Sequence, residues 1–384
     1  MALEPAGAAK SLTVFYATNR LRETDGFHKE SGQPPDDRAL WLGKASVQVL
    51  GDPGNTEGAR GLLTHPEIPG DDDFAKPDKG PAAKLLDAWL DTAKARGAVA
   101  LFFIHGFSNS FTDALTRATQ IAEFYSDHVA LAPLAFSWPS DGQVFDPKSM
   151  LLDPAGNAIR QYRADQADAK RAGGALGRLL REVHRARLRA IKRGALPRMV
   201  LLAHSMGNLA LASGLGAMRH GLMTTAMAGT FDHAALVAAD VPDTMIVAPE
   251  PLADITQLAA AVTVVTNDDG TLWIASSIAN DGSRRLGHYG PPRLDLLPPQ
   301  VMVVDYATGL LAEDSKPHLK NGGTSWDTVH HQYYRNDMKA RADLAAVLAG
   351  TDPPTRDTLP LAEQEVWSLS GRRRRHAALR FTGP

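Results

Sequence analysis

A serine hydroxyl becomes a useful nucleophile only when the backbone lifts it clear and a base is brought to it. Residues 199–218 carry a pattern able to do the lifting. Met199 to Ala203 is an apolar run, Ala203-His204-Ser205-Met206-Gly207 reads as a tight turn, and Asn208 to Met218 has helical spacing. Strand, cramped turn and helix around G-x-S-x-G form a nucleophile elbow, here with alanine for the first glycine. The residues two before and two after the serine must be small, or strand and helix cannot approach each other. Ala203 and Gly207 meet that need. Ser205 would then stand above the sheet edge, with the amide of Met206 aimed where an oxyanion forms. A serine near a helix start is also a common N-cap. The apolar strand before it and the helix after it favour the nucleophile.

Phe102-Phe103-Ile104-His105-Gly106-Phe107 ends another apolar run. A His-Gly turn at such a place supplies a second oxyanion donor, and the amide of Phe107 is the candidate, with Ser108 next. Chain order argues against His105 as the base, so its ring is expected to orient this loop. Ser108 or Ser110 is expected to cap the following helix, with Asp113 in its first turn.

The order of an elbow-based triad is serine, acid, histidine. Asp240 ends LVAAD, and Asp268 and Asp269 follow AVTVVTN, so three acids qualify. His288, His318, His330 and His331 lie downstream. His288 precedes the last core strand and is out of place, whereas His330 and His331 occupy the expected slot. The imidazole would take the serine proton and the carboxylate would fix its tautomer. A metal site is disfavoured, because no helical i, i+4 histidine pair and no cysteine is present.

The elements that must position these groups follow from periodicity. Residues 11–20, 45–50, 98–104, 131–138, 199–203, 234–239, 261–266 and 301–305 predict strands. Residues 84–95, 111–125, 160–192, 208–218 and 337–348 predict helices. Strands alternating with helices predict an α/β fold with a mostly parallel sheet covered on both faces. Sites on such sheets form at the C-terminal ends of the strands. Residues 11–350 are expected to make one domain, with 351–384 a partly flexible C-terminal extension. The basic run Gly371 to His376 reads as a solvated terminus.

Composition narrows the chemistry. The chain has 384 residues and no cysteine, which excludes disulfides, thiolate metal sites and a cysteine nucleophile. The 41 Lys and Arg against 43 Asp and Glu give a net charge of -2, which offers no general attraction to nucleic acid or anionic lipid. No signal peptide is recognisable at the N-terminus, and no stretch approaches the roughly 20 apolar residues of a membrane helix. The expected location is the cytoplasm. Gly173-Gly174-Ala175-Leu176-Gly177 lies in a helical pattern with no strand before it, and is no dinucleotide fingerprint.

Taken together, these segments resemble a bacterial alpha/beta-hydrolase family catalogued as a domain of unknown function. The motifs that carry the resemblance are Val14 to Arg20 (V-F-Y-A-T-N-R), His105 to Phe111 (H-G-F-N-x-S-F, with Ser108 where Asn is usual) and Trp138-Pro139-Ser140. They continue through Ala203 to Asn208 (A-H-S-M-G-N), Ala238 to Asp240, Asp269 to Leu272, Arg285-Leu286-Gly287 and His331 to Tyr334 (H-x-Y-Y). They span residues 12 to 348. The resemblance implies the alpha/beta-hydrolase fold and a triad of Ser205, Asp269 and His331, choosing Asp269 over Asp268 and His331 over His330 by register.

The expected activity is hydrolysis of a carboxylic ester through an acyl-enzyme, without cofactor or metal, on a small-molecule substrate. A thioesterase, amidase or acyltransferase would use the same residues, and a noncatalytic binder of an acyl ligand or a protein is the rival from another class. Residues 138–160 are expected to form a cap-like insertion, with Trp138, Phe145 and Leu151 lining an acyl pocket and residues 281–300 on its other rim.

Overall fold

The computed structural model describes residues 10–23, 26–27, 40–50, 60–64, 80–140, 156–219, 227–306, 331–351, 356–368 and 371–381. The apolar runs become inner strands for a simple reason. Every residue of Val99–Ile104 and of Met199–His204 is buried. Successive side chains enter opposite cores, Ala100, Phe102 and Ile104 one and Leu101 and Phe103 the other.

The strands in chain order are β1 (Lys10–Thr18), β2 (Arg22–Glu23), β3 (Gly26–Phe27), β4 (Trp41–Leu50), β5 (Arg60–Thr64), β6 (Val99–Ile104) and β7 (Leu131–Ser137). They continue with β8 (Met199–His204), β9 (His233–Val237), β10 (Val262–Thr266), β11 (Val301–Asp305), β12 (Arg356–Ser368) and β13 (Gly371–Phe381). The main helices are α1 (Pro81–Ala95), α2 (Phe111–Phe124), α3 (Asn157–Arg171), α4 (Gly173–Lys192), α5 (Gly207–Arg219) and α6 (Met338–Ala349). One sheet runs β12-β13-β11-β10-β9-β8-β6-β7-β1-β4-β5, and β2 and β3 make a separate ribbon. From β13 to β1 all neighbours are parallel, and β4, β5 and β12 add antiparallel edges. Helices α1, α3, α4 and α5 pack on one face, and α2 and α6 on the other. This is the α/β architecture that the periodicity predicts.

Three expectations change. The single helix expected over 160–192 is two, α3 and α4, meeting at Ala172. Gly173 lets α4 lie close on α5, since a methyl group there would come within 2.7 Å of the Ser213 carbonyl oxygen. Residues 60–64, to which the periodicity assigns no element, form β5, which pairs with the outer side of β4. The segment read as a partly flexible C-terminal extension forms the β12–β13 hairpin. Its inner strand pairs with β11 at Val304–Leu379 and Asp305–Arg380. The hairpin register sets Glu365 opposite Arg374 and Glu363 opposite His376.

Candidate active site

Ser205 follows the last residue of β8 and has φ of 54°, a conformation costly for a non-glycine residue. The strain is held by hydrogen bonds on both sides of it. The Ser205 amide donates to Val237 O at 3.0 Å. The Ser205 carbonyl accepts from the amides of Asn208 (3.0 Å) and Asp240 (3.2 Å) and from Asn208 Nδ2 (3.1 Å). Gly207 is required by close approach, because a methyl group there would fall 2.5 Å from the His105 carbonyl oxygen. Among the described residues no acceptor meets the Met206 N–H.

Ser205 Oγ lies 3.0 Å from His331 Nε2, and His331 Nδ1 lies 2.7 Å from Asp269 Oδ2. All three residues are buried. A carboxylate that accepts at Nδ1 places the imidazole proton there and leaves Nε2 as an acceptor toward the hydroxyl. The Asp269 carboxylate is itself oriented, since Oδ1 accepts from the amides of Thr271 (3.0 Å) and Leu272 (3.1 Å). The D-x-x-L turn is therefore a small cap built on the acid. The Asp269 amide is shared between Asn267 O at 2.9 Å and His288 Nδ1 at 3.2 Å. His288, out of place as a base, thus supports the acid's own loop.

The other acids do different work. Asp268, next to Asp269 in the chain, is exposed. Asp240 is buried in an ion pair with Arg285, whose Nε donates to Oδ1 at 2.8 Å, while Tyr162 and Ser276 donate to the same carboxylate. Burial, followed by the Asp240 charge, pushes the Tyr162 hydroxyl pKa up. Asp240 is thus engaged by an arginine, a tyrosine and a serine, while the imidazole of His331 meets Asp269. His318 and His330 lie outside the described residues.

The loop after β6 is fixed from every side. His105 Nδ1 donates to Gly106 O at 2.8 Å, and Nε2 accepts from the Trp138 amide at 3.1 Å. Burial, with the Arg20 charge adding to it, drives the His105 pKa down to about 3. Both ring nitrogens are committed, so His105 braces the loop as expected. Asn109 Nδ2 donates to Phe107 O at 2.7 Å, and the Asn109 amide donates to Ser140 Oγ at 3.0 Å. Ser108, at φ 57°, donates its amide to Asp165 Oδ2 at 3.1 Å. That bond commits the Ser108 amide and leaves Phe107 as the oxyanion candidate of the two. Arg20 ties the early V-F-Y-A-T-N-R segment to this loop, donating to Asn109 O (2.7 Å), Ser140 O (2.9 Å) and Ser137 Oγ (2.9 Å). Ser110 caps α2 with Asp113 in a reciprocal capping box.

The substrate-lining expectation for Trp138 is corrected. Its side chain is fully buried, its Nε1 donates to His105 O at 2.8 Å, and its ring stacks on His105 with centroids 5.0 Å apart. A ring engaged in this way braces the loop after β6 and, being fully buried, is not available to line a pocket. Phe145 and Leu151, with most of the expected cap-like insertion, lie outside the described residues.

Sequence reasoning passed over Asp165, Tyr162, Arg285 and Arg20 as parts of this machinery. Arg20 and Arg285 were within quoted motifs, and each is a buried cation whose partners come from distant segments. Among the described residues no cluster of three or more His, Asp or Glu side chains could hold a metal ion, and no helix is long and apolar enough to cross a membrane.

No curated protein matches the chain. A family model described as an alpha/beta hydrolase of unknown function (DUF900) matches residues 83–308, a span that takes in Ser205 and Asp269 and ends before His331. With the elbow, the parallel sheet and a match over more than half its length, the chain belongs to this family of alpha/beta hydrolases.

Proposed function

We propose that the protein is a serine hydrolase that cleaves carboxylic esters through an acyl-enzyme. The observation that carries the reading is the unbroken chain from Ser205 through His331 to Asp269, at 3.0 and 2.7 Å. Ser205 Oγ attacks the ester carbonyl carbon as its proton passes to His331 Nε2. The amides of Met206 and Phe107 take the negative charge on the former carbonyl oxygen. Collapse breaks the bond to the alkoxide, which leaves with the proton from His331. Water then attacks the acyl carbon, giving a proton to His331. The second collapse frees the carboxylic acid and returns the proton to Ser205. Asp269 holds His331 in the tautomer these transfers need and stabilises its charged form.

A panel of p-nitrophenyl esters of rising acyl length, run beside the thioester and anilide of one acyl group, tests the activity. Turnover of esters, lost in Ser205→Ala, is the expected result. Turnover of the thioester or anilide alone would move the reading to another acyl-transfer class. No turnover by folded protein would sink it.

A further inference from the structure

The buried imidazole of His204, one residue before the nucleophile, takes no part in the proton transfers above. It is the last residue of β8, it is almost fully buried, and its Nε2 donates to the carbonyl oxygen of His331 at 3.1 Å. A carbonyl can only accept, so this bond fixes the proton of His204 on Nε2. The ring stacks on Tyr334, with centroids 4.4 Å apart and planes at 30°, and lies 4.8 Å from the His331 ring. Its Nδ1 edge packs against Gly106, where a methyl group would come within 3.0 Å. One imidazole therefore touches the start of the oxyanion loop and the backbone of the base, and it is bonded in the chain to Ser205.

The segment that brings in the base is tied down by its two tyrosines. Tyr333 Oη accepts from the Ala238 amide at 3.1 Å, Tyr125 donates its hydroxyl to Tyr334 O, and the Tyr334 ring lies on His204. The bond from His204 reaches the main chain of His331 itself. The H-x-Y-Y motif is thus a base followed by two anchors, and His204 is where the second anchor seats.

We propose that His204 is a positioning residue: its Nε2–H sets the backbone of His331, so that the imidazole meets Ser205 and Asp269 together. The proposal rests on the triad reading above. The neutral state of His204 suits the role. Burial, then the neighbouring His331, with Arg117 and Arg335 beyond it, hold its pKa well below the ordinary imidazole value. When His331 becomes imidazolium during the reaction, the ring beside it stays uncharged and does not repel it.

The test uses the full chain with p-nitrophenyl butyrate, comparing wild type, Ser205→Ala, His204→Phe and His204→Gln. Phe keeps a stacking ring and removes the donor. Gln places an amide N–H near the same carbonyl. In His204→Phe, kcat is expected to fall about ten- to a hundredfold, because a small misplacement of a catalytic group costs that much. KM should hold, since the base does not bind the ground-state ester. The acid-limb midpoint of kcat/KM should move to lower pH as His331 loses its hold on Asp269. A purely space-filling residue would lower Tm without moving that midpoint. His204→Gln should keep wild-type kcat and midpoint. If His204→Phe does not fold, His204→Gln decides alone, with retained activity and midpoint supporting the role and lost activity overturning it. Wild-type kinetics in His204→Phe, or Gln as impaired as Phe, would also overturn it. Inert wild-type protein would overturn the triad reading and this role with it, whereas active wild type with unaffected variants removes this role alone.

Discussion

Whether a buried imidazole can act as a base depends on which of its nitrogens are already committed. Both are in His105, one to Gly106 O and one to the Trp138 amide. In His331, Nδ1 is held by Asp269 and Nε2 faces a hydroxyl. The same logic separates the acids. Asp269→Asn is expected to lower kcat on a p-nitrophenyl ester by about 10³- to 10⁴-fold, because an amide no longer enforces the right tautomer. Asp268→Asn should leave kcat unchanged, as the residue is exposed and the carboxylate on His331 Nδ1 is that of Asp269. Asp240→Ala should act on stability, because it strands the buried Arg285 guanidinium. Loss of about 3–5 kcal/mol in urea unfolding is the expected size. These residue roles were only partly legible beforehand. Position along the chain suggests a support for His105, but nothing local in Asp240 announces a distant arginine, and nothing in Trp138 says that its ring faces inward.

At the scale of elements, the elbow depends on how closely β8 and α5 approach the strand beside them. The carbonyls of Ile104 and His105 would lie 2.6 and 2.5 Å from a methyl group on Gly207. Gly207→Ala must therefore push α5 or the oxyanion loop away. It is expected to lower stability by about 1–3 kcal/mol and to reduce acylation more than that loss explains, read by urea unfolding beside fluorophosphonate labelling rates. The inner strands were legible because burial on both faces writes a continuous apolar run, as in Val99–Ile104 and Met199–His204. The break between α3 and α4 was not, because the apolar spacing continues through it and the close approach of Gly173 to the Ser213 carbonyl is a long-range contact. The β12–β13 hairpin was hidden for a related reason. Its place beside β11 is a long-range pairing, and a run of arginines reads locally as a solvated tail.

For the whole molecule, the buried neutral histidines tie stability to acidity. The pKa of His105 is driven down to about 3 and that of His204 well below its usual value. Both therefore take up protons in the unfolded chain at pH values where the folded chain refuses them. Their contribution is fully present above the ordinary imidazole value and is lost as pH falls, over the range from there to about 3 for His105. Urea unfolding free energies should decline on acidification from neutral pH, and His105→Asn should make that decline shallower. The sheet gathers the site by bringing the ends of β6, β8, β9 and β10 to one edge, so residues 126 positions apart, Ser205 and His331, meet within hydrogen-bond distance. Chain order confined the nucleophile and the base to narrow windows, but only the assembled edge shows that Ser205 meets His331. The most direct measurement maps a fluorophosphonate adduct by peptide mass spectrometry. The account predicts one adduct, on Ser205, that disappears in Ser205→Ala and forms far more slowly in His331→Ala. Folded wild-type protein that stays unlabelled, or that carries its adduct on another residue, would contradict it.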